Sequence, residues 1–333
     1  MKPMQTSHPK NARAGATEVI GFLKENPYRG FAYILSQNNR RPKFLMNRIL
    51  AVYGFLKGYL SVKESMMLLL PAGLKSEALR RKYSEFVSEE ITASAKKHIK
   101  DHINDDGSVR LYEHRFYPAH GNLGESMELF SQVFIKDQYR AIEHIKDGSV
   151  IIDAGANIGS FSVYSSNIAK NTKVYAFEPV KETFEVLKKN ASPYANISCN
   201  NLGLGDSIEK KKIYFNKDAT VGSTFEDDEI AGSHGPSDLS QEAGITTIDH
   251  FVRQNDIQRV DFIKMDTEGY ERQILEGARE TIRRFHPVMA MSAYHKCDDK
   301  TVLPAIVDSI SPDYDHMLVR IDEEDLVFFP KKA

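Results

Sequence analysis

The sequence predicts an α/β fold, a doubly wound and mostly parallel sheet with an additional N-terminal helical domain. Three observations carry that expectation. From Val150 onward, short apolar runs alternate with amphipathic helical patterns, as expected of strands covered on both faces by crossover helices. A glycine-bearing turn, Asp153-Ala154-Gly155-Ala156-Asn157-Ile158-Gly159, sits directly between the first such strand and the first such helix. An acid, Glu178, ends the next strand about 20 residues further on, the distance at which nucleotide-binding sheets carry a ribose-binding carboxylate.

Taken in order, Met1–Gly15 is polar and holds no apolar signal core. Residues 16 to about 104 read as helical, with apolar residues at three- and four-residue spacing such as Ile20 and Leu23, and Phe31, Ile34 and Leu35. The run Ser76–His102, rich in Lys, Arg and Glu, suits a solvent-facing helix. Asn104-Asp105-Asp106-Gly107 then stops the helical pattern and opens a hairpin over Val109–Tyr117. The domain boundary is placed there: a helical domain over 1–104 and a second domain over 105–333, its core beginning near 148.

In that second domain strands are expected at Val150–Ile152, Val174–Phe177, Ile197–Leu202, Val260–Met265, Val288–Met291 and Leu326–Phe329, with a hairpin arm at Lys211–Phe215. Helices are expected at Ser160–Ala169, Lys181–Asn190 and Glu271–Arg284, and the polar run Lys217–Gly244 reads as a mobile substrate loop. The aromatic segment Arg115–Tyr139 could cover a site. Core packing is the preferred reading for Phe116, Tyr117, Phe130 and Phe134.

Composition narrows the function classes. The 44 basic and 46 acidic residues leave a formal charge of -2, which gives no general pull toward nucleic acid or anionic membranes. Two isolated cysteines, Cys199 and Cys297, supply neither a disulfide framework nor a cysteine metal site, and a reducing cytoplasm is the simplest home. No stretch of about 18 uninterrupted apolar residues exists, so a transmembrane helix is not expected. Ile49–Leu60 is better read as packing on its own domain than as lying on a membrane surface.

Four motifs fall at the carboxyl ends of the expected strands, where ligands bind such sheets. In the glycine turn, Gly155 and Gly159 permit tight turning and close ligand approach. The dinucleotide fingerprint needs glycines at 157 and 160, where this chain has Asn157 and Ser160, and this argues against a nicotinamide oxidoreductase. In Phe177-Glu178-Pro179 the carboxylate suits two ribose hydroxyls, and Pro179 stiffens the turn. The amides of Asn200 and Asn201 could meet an adenine edge or only make a turn. In Lys264-Met265-Asp266-Thr267-Glu268-Gly269-Tyr270-Glu271, alternation along an extended segment lets Asp266 and Glu268 share a site. There they could act as a base or bind an ammonium group or a metal.

These motifs, together with Asn201-Leu202-Gly203-Leu204-Gly205, Thr247-Ile248-Asp249 and Leu275-Glu276-Gly277-Ala278, occur in the order and spacing of the FkbM-type methyltransferases, which the chain resembles over roughly residues 110–330. The resemblance implies a class I Rossmann-like methyltransferase fold, S-adenosylmethionine as methyl donor, and O-methylation of a sugar, glycan or natural product. It implies that Asp153, Gly155, Ala156, Asn157 and Gly159 serve the methionine end and Glu178 with Pro179 the ribose, with Asn201 and Asp266 completing the cofactor set. The strand Val288–Ser292 departs from the family pattern by continuing into Ala293-Tyr294-His295-Lys296 instead of ending in glutamate. His295, with a reference pKa near neutrality, is the first candidate for general base, followed by Asp266 and Glu268. A divalent ion held by those three residues is the less favoured route, because no ligand-spacing motif demands one. The competing classes are a nicotinamide oxidoreductase and a non-catalytic nucleotide-binding scaffold acting through its helical domain.

Overall fold

The computed structural model describes residues 104–331, apart from 105, 112–113, 119–125, 127–128, 136, 217–221, 226–238 and 321–322. The chain divides into two compact units, Met1–Ser94 and Ala95–Ala333, and every described residue belongs to the second. The helical reading of the first hundred residues, including Ile49–Leu60, lies outside the described residues.

The hairpin expected after Gly107 is present as β1 (Val109–Leu111) and β2 (His114–Phe116), paired antiparallel. A π-helical turn, Ser131–Ile135, and a short helix α1 (Ala141–His144) lead into the sheet. Then follow β3 (Val150–Ala154), α2 (Ser160–Asn167), β4 (Lys173–Phe177), α3 (Lys181–Ala191), β5 (Ile197–Asn200), β6 (Gly203–Leu204), β7 (Glu209–Phe215) and β8 (Leu239–Thr246). The chain continues through α4 (Ile248–Gln254), β9 (Phe262–Met265), α5 (Glu271–Glu276), α6 (Arg279–Phe285), β10 (Val288–Ser292), α7 (Asp299–Ile310), β11 (Tyr314–Arg320) and β12 (Glu324–Pro330).

Seven strands form the central sheet in the order β11-β12-β10-β9-β3-β4-β5. β12 runs antiparallel to both of its neighbours, while β10-β9-β3-β4-β5 pair in parallel. This is the class I methyltransferase form of the Rossmann-like doubly wound sheet. The first sheet strand, β3, is central: the chain adds β4 and β5 on one side, then crosses to add β9 and β10 on the other. The crevice beyond β3 and β9 is therefore the topological switch point. A smaller sheet, β6-β8-β7, stands beside it.

The core explains the close packing here. Ile151, Ile152, Ala154, Phe262, Ile263 and Met265 are buried on the two central strands, which read as continuous apolar runs because both faces are covered. Helix α2 buries every residue from Ser160 to Ser166. Its serines tolerate this partly by donating to carbonyls one turn back, Ser165 to Ser162 and Ser166 to Val163. Phe130 and Phe134 stack at 4.2 Å, and Phe116 meets both edge-on, so these three rings pack as core. Tyr117 differs: it is half-buried, donates to Asp106, and carries the Lys189 ammonium 3.5 Å from its ring centroid.

Two expectations are corrected. The helix expected over Glu271–Arg284 is two helices, α5 and α6, broken at Gly277-Ala278. Backbones touch at that point: a Cβ on Gly277 would lie 1.9 Å from the Gly205 carbonyl oxygen. Asp249 then caps α6 through the amides of Glu280 and Thr281, while Thr247 caps α4 by accepting from the His250 amide. The motif at 247–249 thus fastens helices. The loop expected over Lys217–Gly244 ends earlier, because Leu239 onward is β8, paired with β7 along its length. α1, α4, α7, β6 and β11 lie outside the elements the sequence predicts.

Candidate active site

The glycine turn is built as the spacing requires. Gly155 has φ 70° and Gly159 φ 92°, and Asn157 is left-handed at φ 50°. A Cβ on Gly155 would lie 2.0 Å from the Asp266 carbonyl oxygen, so only glycine lets the turn cross the end of β9. Asn157 donates its amide to Glu178 Oε2 at 3.0 Å, and Val180 donates to Oε1 at 2.9 Å. Burial pushes the Glu178 carboxyl up to about 7, against the pull of those two amides.

Beneath the turn is a pair of charges. Asp153 is fully buried, accepts from Ser162 Oγ at 2.6 Å, and lies 3.3 Å from the Lys264 ammonium. Lys264 also donates to the carbonyls of Gly155, at 2.7 Å, and Ala154, at 3.3 Å. Burial lowers its pKa, but Asp153, Asp266 and Glu178 more than reverse this, so the ammonium is held above the ordinary lysine value. Lys264 lies in the motif at 264–271, to which the sequence pattern assigns it no separate role. The signal was present, since a lysine between Ile263 and Met265 in a strand buried on both faces must find a partner.

At the ends of β9 and β10 acids gather. Asp266 accepts from Tyr139 at 2.8 Å and from Ser292 Oγ at 2.9 Å. Burial raises its pKa, and Lys264 and His295 override that to leave it below the usual carboxylate value. Glu268, left-handed at φ 54°, accepts from the Gly222 amide at 2.8 Å. His295 Nε2 stands 3.3 Å from Glu268 and 3.9 Å from Asp266, and its Nδ1 stands 3.2 Å from buried Glu271. Burial alone would lower this imidazole, but the carboxylates raise it to about 11. The surrounding carboxylates thus favour the imidazolium over the near-neutral base expected of His295, and an imidazolium has no lone pair to offer. Asp266, Glu271 and His295 bring one donor atom each within 4.8 Å of one another.

An open cleft lies over the switch point, lined by Gly155, Ala156, Asn157, Glu178 and Pro179 on one side and by Lys264, Asp266 and Glu268 on the other. Leu204, Ile213 and Phe225 give it an apolar wall, and Gln132 and Tyr139 come from the segment before the sheet. The aromatic segment therefore both packs as core and lines the cleft. Three expected cofactor residues do not line it. Asp153 sits below the floor, Gly159 packs toward Leu187, and Asn201 donates to the carbonyls of Glu178 and Pro179, tying β5 to β4.

The cleft suits a nucleoside carrying an amino-acid tail. Glu178 has used one lone pair on each oxygen, leaving capacity for two ribose hydroxyls. Ser160 Oγ, at the start of α2, is buried without a hydrogen-bond partner and lines the same cleft. A hydroxyl in that position, beside the free amides of a helix N-terminus, can receive a carboxylate. Among the described residues, no helix is long and apolar enough to cross a membrane.

Residues 153–326, just over half of the chain, match the family described as the methyltransferase FkbM domain. The chain is similar to 31-O-demethyl-FK506 methyltransferase FkbM of Streptomyces tacrolimicus, with 25% identity over 187 residues covering 49% of this chain and 72% of that protein. It is also similar to the hexuronic acid methyltransferase AglP of Haloferax volcanii, with 30% identity over 146 residues, covering 43% of this chain and 55% of that one. The crystal structure of an FkbM methyltransferase from Methylobacillus flagellatus KT aligns over 60% of this chain and 48% of that chain, with 22% identity and a TM-score of 0.45.

Proposed function

We propose that this chain, which belongs to the FkbM methyltransferase family, uses S-adenosylmethionine to methylate a hydroxyl oxygen of a small sugar, glycan or natural-product acceptor. The observation that carries the reading is the cleft at the switch point, with ribose- and carboxylate-receiving groups on one side and an oriented carboxylate on the other. The relatives' names support the acceptor class, one referring to an O-demethyl natural product and the other to a hexuronic acid.

When bound, S-adenosylmethionine supplies an electrophilic methyl group. Glu178 receives the ribose hydroxyls, Ser160 and the start of α2 receive the amino-acid end, and the Leu204–Ile213–Phe225 wall receives the base. Orientation of this kind can contribute about 7–11 kcal/mol toward an in-line displacement. Asp266 takes the acceptor's proton, since it lines the cleft with both oxygens fixed by Tyr139 and Ser292. A hydroxyl gaining a methyl group becomes a far stronger acid than the alcohol, so a carboxylate of low pKa suffices. His295 serves as the positive charge beside Asp266 and Glu268 and helps hold Asp266 below the usual carboxylate value.

The test is calorimetric titration with S-adenosylmethionine, S-adenosylhomocysteine and NADH, followed by an acceptor screen that includes sugars, polyols and RNA oligonucleotides. Micromolar binding of the first two and methylation of a hydroxylated small molecule are expected. NADH binding alone, or transfer only to RNA, overturns the reading.

A further inference from the structure

Behind Asp266, away from the cleft, lies a second carboxylate that the mechanism above does not use. Asp325, the second residue of β12, is completely buried. Its Oδ1 is 3.3 Å from Ser292 Oγ, and the same Ser292 Oγ is 2.9 Å from Asp266 Oδ1. A serine hydroxyl has one proton to donate and lone pairs with which to accept. It cannot donate to two carboxylates at once, so both contacts are hydrogen bonds only when one acid carries a proton and donates it to Ser292.

The surroundings decide which acid that is. Asp266 faces the Lys264 ammonium and the His295 imidazolium and accepts from Tyr139. Asp325 faces Ser292 of β10, Asp266 at the end of β9, Glu323 just before β12, and Gln138 ahead of α1. Tyr139, whose own pKa is raised, lies close to the same charge. None of the ion pairs among the described residues involves Asp325. An acid surrounded in this way keeps its proton, while its neighbour beside two cations gives its own up.

We infer that Asp325 is a neutral, proton-donating positioning residue whose proton runs through Ser292 to hold the Asp266 carboxylate in place for the acceptor. The inference rests on the methyl-transfer reading for its consequence, though not for the shared proton. The Asp325 hydroxyl donates to Ser292, Ser292 donates to Asp266 Oδ1, and Tyr139 donates to Asp266 Oδ2. One proton is shared by two acids, and the pair carries a single negative charge. Burial and the Asp266 charge raise the Asp325 carboxyl to about 8. Above that pH the donor is lost, the two carboxylates repel, and Ser292 can serve only one.

The experiment reads the proton first and the rate second. Infrared difference spectra of wild type against Asp325→Asn, with labelled aspartate, should show at pH 7 a protonated carboxyl band that fades as the pH passes about 8. No such band overturns the shared proton whether or not a methyl acceptor is known. In turnover at saturating cofactor, Ser292→Ala and Asp325→Ala should each lower kcat about tenfold without changing cofactor affinity. Asp325→Asn, whose amide also donates to Ser292, should recover most of that loss and remove the alkaline fall in kcat near pH 8. An Asn variant as impaired as Ala, or one that keeps the alkaline fall, overturns the positioning role. A wild type that methylates no acceptor defeats the functional reading instead, and the infrared band still decides the protonation.

Discussion

The two rims of the cleft are both acidic, yet they handle their acids in opposite ways. On the rim made by β3 and β4, Asp153 is neutralised by one buried lysine and Glu178 is held by two backbone amides from its own neighbourhood. On the rim made by β9, β10 and β12, Asp266, Glu268, Glu271 and Asp325 converge from two chain segments and share one imidazolium and one hydroxyl bridge supplied by a third. A rim whose acids each have fixed partners of their own is a rigid receiver. A rim whose acids share cations and protons has its charge set by its neighbours, which is the property needed where a proton must move.

The largest expected effect would break that contrast at its foundation. Lys264→Met leaves Asp153 fully buried without a counter-charge and removes the donor that holds the Gly155 carbonyl. We expect a loss of about 3–5 kcal/mol in urea unfolding, and a variant as stable as wild type would show that the pair is not a buried ion pair. Next comes His295→Gln, which leaves three carboxylates facing one another and should cost about 2 kcal/mol at neutral pH. The folded imidazole is raised to about 11, so its stabilisation is fully present below its unfolded value near 6.5 and is lost as the pH rises through about 11. Thermal melts of wild type and variant should therefore differ most at pH 6 and converge toward pH 11. A gap independent of pH would return His295 to the neutral form.

A smaller effect sharpens the cofactor rim. Glu178→Gln should weaken S-adenosylmethionine binding about tenfold, because a charged acceptor of two hydroxyl bonds becomes a neutral one. For the wild type, affinity should tighten as pH rises through about 7, since the ionised carboxylate is the better acceptor. Titrations at pH 6 and pH 8 with equal affinity would remove Glu178 from the ribose. The smallest effect is a control: Arg253 and Glu280 form an exposed pair on the helices behind the sheet. Glu280→Gln should leave both melting and cofactor affinity unchanged.

Much of the receiving rim is legible in the sequence because its chemistry is local. Gly155, Asn157 and Gly159 sit in a seven-residue turn whose conformation needs them, and Glu178 is placed by the next strand. The chemical rim is less legible. Tyr139, Ser292 and Asp325 meet Asp266 across sequence separations of 127, 26 and, through Ser292, a further 33 residues, and no spacing motif records contacts of that kind. Asn201, adjacent to the right strand end, proved to tie two strands together, because a side-chain amide at a turn serves the nearest free carbonyls first.

By itself, the sequence determined the alternation of strands and helices, the glycine turn, and the strand ends at which the acids stand, because each depends on periodicity or on the steric needs of a few adjacent residues. Only the tertiary structure decided which acids are charged, which one keeps a proton, and why His295 is a cation. A protonation state is the balance of burial against charges brought in by distant segments, and it exists only once those segments have packed together.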